Sequence, residues 1–270
     1  MARPTWFLKL LQVAYRQRKY MAIMTKLPFI GQFIKQTGFK GDTIICLPKD
    51  HVIKINQSVD LQGSLVLPSK VAEALVEQSN YRWIMNFCIC RTSNKCKDYP
   101  ADVGCLFLGE AVTQINPEWG RLVSKPEALA YLKRCRELGL VHMVGKNKLD
   151  SLWLGINEKK LLTICNCCPC CCISAGLKNM SPEIAQYYTK MPGVEVKVTD
   201  RCVGCGTCAK KCYLEAIHII NDRARINTNM CRGCGRCVEA CPKKAIELTL
   251  TDPQFLQKSV ESIVKLVDMA

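Results

Sequence analysis

Cys202-Val203-Gly204-Cys205-Gly206-Thr207-Cys208-Ala209-Lys210-Lys211-Cys212 is followed by Cys231-Arg232-Gly233-Cys234-Gly235-Arg236-Cys237-Val238-Glu239-Ala240-Cys241-Pro242, and every cysteine of the first run recurs in the second at an offset of 29 residues. The match runs past the thiols: Ala216 and Ile217 correspond to Ala245 and Ile246, which are expected to open a short strand in each half. Three thiols separated by two residues each can wrap one face of a compact metal centre, and the fourth ligand must then approach from elsewhere. Gly204, Gly206, Gly233 and Gly235 stand between the thiols, where a wrapping chain needs left-handed backbone and room for N–H groups to point inward. Structural zinc sites close with two ligand pairs and do not use this spacing.

Over residues 198–250 the chain resembles the bacterial ferredoxins that carry two [4Fe–4S] clusters, in which the fourth cysteine of each run ligates the other cluster. The resemblance implies that Cys202, Cys205, Cys208 and Cys241 hold one cluster and that Cys231, Cys234, Cys237 and Cys212 hold the other. It departs at Tyr213, where the family usually has proline; no ligand is lost by this.

The whole chain has 270 residues, 49% apolar and 23% charged, which is the composition of a globular protein and excludes disorder or a collagen-like rod. No window approaches the roughly 18 uninterrupted apolar residues of a membrane-spanning helix, and residues 1–40 lack the pattern of a secretory signal. A cytoplasmic location is expected. Twenty cysteines in that setting read as metal ligands rather than a disulfide framework. The formal charge is +15; each ligated cube carries about −2, so two or three cubes leave roughly +9 to +11. Such a surface suits redox partner proteins with an acidic docking face, an anionic membrane surface or a phosphorylated substrate. Nucleic acid is not expected, because neither an aromatic-and-basic RNA motif nor zinc-finger spacing is present.

Residues 1–41 carry Arg3, Lys9, Arg16, Arg18, Lys19, Lys26, Lys35 and Lys40 and no acidic residue. Trp6, Phe7, Leu10, Leu11 and Ala14 recur at helical spacing, and Pro28 and Gly31 are expected to break the run. This segment reads as a helix packed on the body, or as one lying on a membrane surface or docking a partner. Short strands are expected around Val52, Ile53 and Ile55 and again around Leu65, Val66 and Leu67. Ser69 is the expected N-cap of a helix over residues 70–78, and residues 81–87 read as a strand. Ser124-Lys125-Pro126-Glu127 is a capping box that opens a helix ended by Gly139. Strands are expected over residues 140–144, 152–156 and 161–164, and Asp252-Pro253 starts a last amphipathic helix.

A second constellation of ten cysteines comprises Cys88, Cys90, Cys96 and Cys105, then Cys165, Cys167, Cys168, Cys170, Cys171 and Cys172. On a strand Cys165 and Cys167 share a face, and Pro169 forces a turn among the rest. The strings YRWIMNFCICR (81–91), CKDYPADVGCLFLGEA (96–111), GLVHMVGKNKLD (139–150) and LLTICNCCPCCC (161–172) resemble a family of 4Fe–4S dicluster proteins of anaerobic microbes, over about residues 45–250; the resemblance brings no established reaction. Three readings of the ten thiols stand side by side: an additional Fe–S cluster, cubane or not, that extends an electron wire; a cluster with open iron coordination that reduces a substrate; or a zinc or dithiol site. Arg91 and His142 are the weak catalytic candidates. Arg91 either holds an anionic substrate or stabilises a negative cluster, and the second is favoured; His142 on a strand is more often a satisfied core residue.

The expectation is therefore an α+β protein: a basic amphipathic segment (1–41), a cysteine-rich α+β domain (42–197), a two-[4Fe–4S] ferredoxin-like domain (198–250) and a C-terminal amphipathic helix (251–270). Its expected task is low-potential electron transfer to the N-terminal cysteine-rich site or to a partner oxidoreductase, the alternative being a reductase whose N-terminal cluster is the catalytic centre.

Overall fold

The computed structural model describes residues 3–55 and 67–269. The strand expected around Leu65 and Val66 lies outside them. Twelve strands are found among the described residues: β1 (Thr43–Cys46), β2 (Ile53–Ile55), β3 (Arg82–Met85), β4 (Leu106–Leu108), β5 (Gly120–Leu122), β6 (Val141–Lys146), β7 (Leu162–Cys167), β8 (Tyr188–Lys190), β9 (Val194–Val198), β10 (Ile217–Ile220), β11 (Arg223–Ile226) and β12 (Ile246–Leu250). Helices accompany them, so the architecture mixes α and β as expected.

The main sheet has the order β5-β3-β4-β7-β6-β1-β8 and is antiparallel except for the β1–β8 edge. Alternation along its strands gives each face its own core. Ile45, Ile84, Leu106, Leu108, Val144, Leu162 and Ile164 pack on one side under the helices Ser69–Gln78, Lys125–Glu137 and Phe255–Val264. The opposite face carries Ile44, Met143, Trp83, Met85 and Phe107 and is covered by the N-terminal helices and the helix Lys148–Leu154.

The repeat module uses β10 and β11 as one hairpin, while β9 pairs with β12. β2 adds to β12 in parallel, so a strand from the N-terminal half completes the module's three-stranded sheet.

Local capping explains several boundaries. Ser124 and Glu127 form the full reciprocal capping box at the start of Lys125–Glu137. Ser69, by contrast, is no cap: it is the first residue of its helix, and its backbone N–H donates to Asp50 Oδ1 at 3.0 Å, so a carboxylate from the short 3-10 helix Asp50–Val52 does the capping. The helical run breaks after Met24 as expected, and Pro28 opens the next helix, Pro28–Gly38, at its first position; Gly31 lies inside that helix and does not break it. The strand expected over residues 152–156 is instead part of the helix Lys148–Leu154. That helix is held by Asp150, which accepts from Trp153 Nε1 (3.0 Å) and Asn147 Nδ2 (2.8 Å), and ends at left-handed Gly155.

Candidate metal centres

β7 delivers the second cysteine group. Its register pairs Val141 with Cys167, His142 with Asn166 and Met143 with Cys165. Cys165 and Cys167 continue the face opposite Leu162 and Ile164, while Asn166 and Cys168 continue the face of Leu162 and Ile164, under the helix Lys125–Glu137. Cys105, one residue before Leu106 on β4, falls on the same face as Phe107 and faces Cys165 at 3.6 Å between sulfurs. The pleat therefore sorts the thiols to two sides of one sheet.

On the side of the helix Lys125–Glu137, Cys96, Cys168, Cys170 and Cys171 bring their sulfurs within 4.8 Å of one another. Cys96 and Cys170 are 3.5 Å apart, and the Cys171 N–H donates to Cys168 Sγ at 3.3 Å. Cys135 and Leu140 pack behind them, and Cys170 is exposed. Four thiols in one compact set suit an iron–sulfur cluster or zinc by their softness.

The other side gathers Cys88, Cys90, Cys105, Cys165, Cys167 and Cys172. Cys172 and Cys167 lie 3.0 Å apart, Cys90 is within hydrogen-bonding reach of both Cys88 and Cys172, and Cys165 of both Cys105 and Cys167. Hydrogen bonding with Cys167 and Cys90 holds the Cys172 thiol well below its usual range, and the bond with Cys90 lowers Cys88 to about 7. Cys90 is pushed up by its thiol neighbours Cys172 and Cys88. A shared negative charge already opposes the next, so full ionisation of this group needs a bound cation.

Arg91 lies fully buried beside both thiol groups. It donates from Nε to Pro100 O (2.8 Å), from Nη1 to Asn166 O (2.8 Å) and from Nη2 to Val103 O, which commits its guanidinium to three carbonyls. Its charge faces Cys88, Cys168 and Cys105. His142 pairs its Nδ1 with Asn166 Oδ1 at 2.8 Å, and burial lowers its pKa to about 4, so the ring is neutral. It lines a cavity of about 270 Å³ with Arg136, Lys49 and His51, apart from the thiols.

In the repeat module, Cys202, Cys205, Cys208 and Cys241 line one small cavity. Cys231, Cys234 and Cys237 sit with Cys212, each within electrostatic reach of it. Backbone N–H groups reach the sulfurs: Ala216 to Cys212 (3.3 Å), Ala245 to Cys241 (3.3 Å), Ala224 to Cys202 (3.4 Å) and Gly233 to Cys231 (3.4 Å). Such donors stabilise thiolate and fit an anionic cluster. The four intervening glycines all have φ between 63° and 83°, as the wrap requires.

The two repeats differ in what surrounds them. Arg232 and Arg236 occupy the positions of Val203 and Thr207, and both arginines are buried. They donate to Ala185 O (2.9 Å) and Cys167 O (3.1 Å), which docks the second repeat on the N-terminal half. Tyr213 packs in the same seam, within reach of Cys234, Cys46, Cys167 and Cys172. The sequence singled out Tyr213 only as a departure from the family's proline and overlooked the docking roles of Arg232 and Arg236. The signal was the break in the repeat, where charged or aromatic groups replace small ones.

Residues 195–242 match the family model of the 4Fe-4S dicluster domain. All eight cysteines of the repeat fall inside the match. No curated protein and no solved structure matches the chain. The match and the cysteines support an iron–sulfur protein.

Proposed function

We propose that the chain is a low-potential electron-transfer protein that moves electrons singly from an external donor, through two [4Fe–4S] clusters, to the N-terminal thiol domain. Cys202, Cys205, Cys208 and Cys241 hold the outer cluster; Cys231, Cys234, Cys237 and Cys212 hold the inner one. The observation that carries this reading is the seam at Tyr213, where Tyr213 and Cys234 of the module pack in one cluster with Cys167 and Cys172 and Arg236 donates to Cys167 O. The outer end suits entry: Cys205 is exposed, and Lys210, Lys211 and Lys243 are exposed around it, a basic face for an acidic donor.

The N-terminal helices seat the protein on an anionic lipid surface in this reading. Trp6, Leu10, Val13, Tyr20, Met24, Phe29 and Phe33 are exposed there, Phe29 at 91%, and the segment has no acidic residue to oppose the lipid charge. Among the described residues no helix is long and apolar enough to cross a membrane.

A specific observation favours the alternative of a reductase. An apolar cavity of about 290 Å³ beneath these helices is lined by Tyr15, whose hydroxyl feels Cys90, Cys165 and Cys105. Rapid-freeze electron paramagnetic resonance after mixing with excess reduced methyl viologen tests the wire. The module clusters are expected to reduce first and the N-terminal signals to follow more slowly in Tyr213→Ala at unchanged iron content. N-terminal reduction at an equal rate in wild type and variant would mean that electrons do not cross this seam.

A further inference from the structure

The ten N-terminal cysteines do not converge on one point. The sheet divides them: Cys96, Cys168, Cys170 and Cys171 lie on the side of the helix Lys125–Glu137, and the other six on the side of the module and the N-terminal helices. The six make an unbroken chain of thiol neighbours running Cys88, Cys90, Cys172, Cys167, Cys165, Cys105. Cys105 packs in the same cluster as Cys88 and Cys90, so the two ends of this run approach one another and the six thiols form a ring-like group. The ring's thiols come from four separate places: the residue before the helix Ile89–Ser93 and that helix itself, the entry to β4, the end of β7, and the return of the chain after the turn at Pro169.

A cube offers one terminal thiolate position on each of its four irons, so the tetrad matches a cube and the ring has two thiols too many. The ring is buried apart from partial exposure of Cys105 and Cys165. Two arginines stand near it, Arg91 by its charge and Arg236 through Cys167 O, as a dense anionic centre requires. Cys46 and Tyr213 fill the space toward Cys234, and Tyr15 closes the opposite side under the apolar cavity.

Resting on the iron–sulfur reading above, we infer that the N-terminal domain contains two separate metal sites, and that the six-thiol ring holds one iron–sulfur cluster larger than a cube, with all six thiolates as ligands. The ring packs with the module at Tyr213 and Cys234 and with Tyr15 of the apolar cavity at Cys88 and Cys90. The tetrad stands on the other face of the sheet.

The test is iron and acid-labile sulfide, with Mössbauer spectra, on the full chain purified without oxygen. Cys96→Ala/Cys170→Ala is expected to lose about four irons, and Cys105→Ala/Cys172→Ala about eight, with the roughly eight irons of the module retained in both. Loss of the same irons in both variants would collapse the two sites into one. Loss of only about four irons with the ring variant would make the ring a cube with spare thiols, and no loss would make it a dithiol site; each overturns the inference. Absence of the module's irons from the wild type would instead sink the electron-transfer reading. Should the ring variant fail to fold, the wild-type total decides: about twenty irons supports the larger cluster, and about sixteen or fewer contradicts it.

Discussion

Asp42 is 3% exposed, yet it is a carboxylic acid; its Oδ1 accepts from the Lys148 N–H at 2.8 Å. Burial, opposed by that hydrogen bond, raises its pKa from 3.8 to about 7. Between these values the folded chain holds a proton that the unfolded chain has released, so this residue's contribution to stability falls as pH rises through that window. Asp42→Asn keeps the acceptor and removes the titration. It should stabilise the protein at pH 8 by on the order of 2 kcal/mol, raising the thermal midpoint by several degrees, and change little near pH 4.5. A variant with the wild-type midpoint at both pH values would show that the carboxyl is not penalised. At this scale the sequence exposes spacing but not partners. The capping box was legible because Ser124 and Glu127 are three residues apart, whereas Asp50 caps Ser69 from 19 residues away in the sequence and could not be read. Arg91 was conspicuous beside Cys90, but its three carbonyl partners belong to chain segments that only the fold brings together.

Elements repeat the same division. Strands with alternating or continuous apolar residues were legible, and so were the helix Lys125–Glu137 and the last helix, because period and caps agree there. Residues 152–156 misled because Leu152, Trp153, Leu154 and Ile156 form a short apolar run that suits either state, and the buried Asp150 contacts tip it to helix. The N-terminal helices form a pair broken at Gln17, followed by a third that starts at Pro28, and their exposed aromatics are the element's main feature. Gly31 fits against Thr25 O so closely that a Cβ would lie 2.1 Å from it, which fixes the angle at which the third helix leaves the second. The full chain should float with vesicles containing anionic phospholipid and release at high salt. Trp6→Ser/Phe29→Ser/Phe33→Ser, which removes only exposed rings, should weaken binding at least about a hundredfold, since each buried aromatic contributes about 1.5–3 kcal/mol. Equal flotation of the two chains would rule these helices out as the lipid contact.

For the whole molecule, the thiols are organised by two devices of different legibility. The 29-residue repeat announced the module in the sequence, because its spacing is local. The division of the other ten thiols between two faces depends on the register of β4 and β7 and on a return of the chain after Pro169, which spacing alone does not reveal. The same sheet places Tyr213, Arg232 and Arg236 against the end of β7, and β2 completes the module's sheet, so the repeat is built into the N-terminal half rather than tethered to it. Iron, acid-labile sulfide and zinc per chain, measured on wild-type protein purified without oxygen, test the central claim that both halves carry iron–sulfur clusters. More than about twelve irons with abundant sulfide and no zinc is the expected result; about eight irons accompanied by zinc would confine the clusters to the repeat and contradict it.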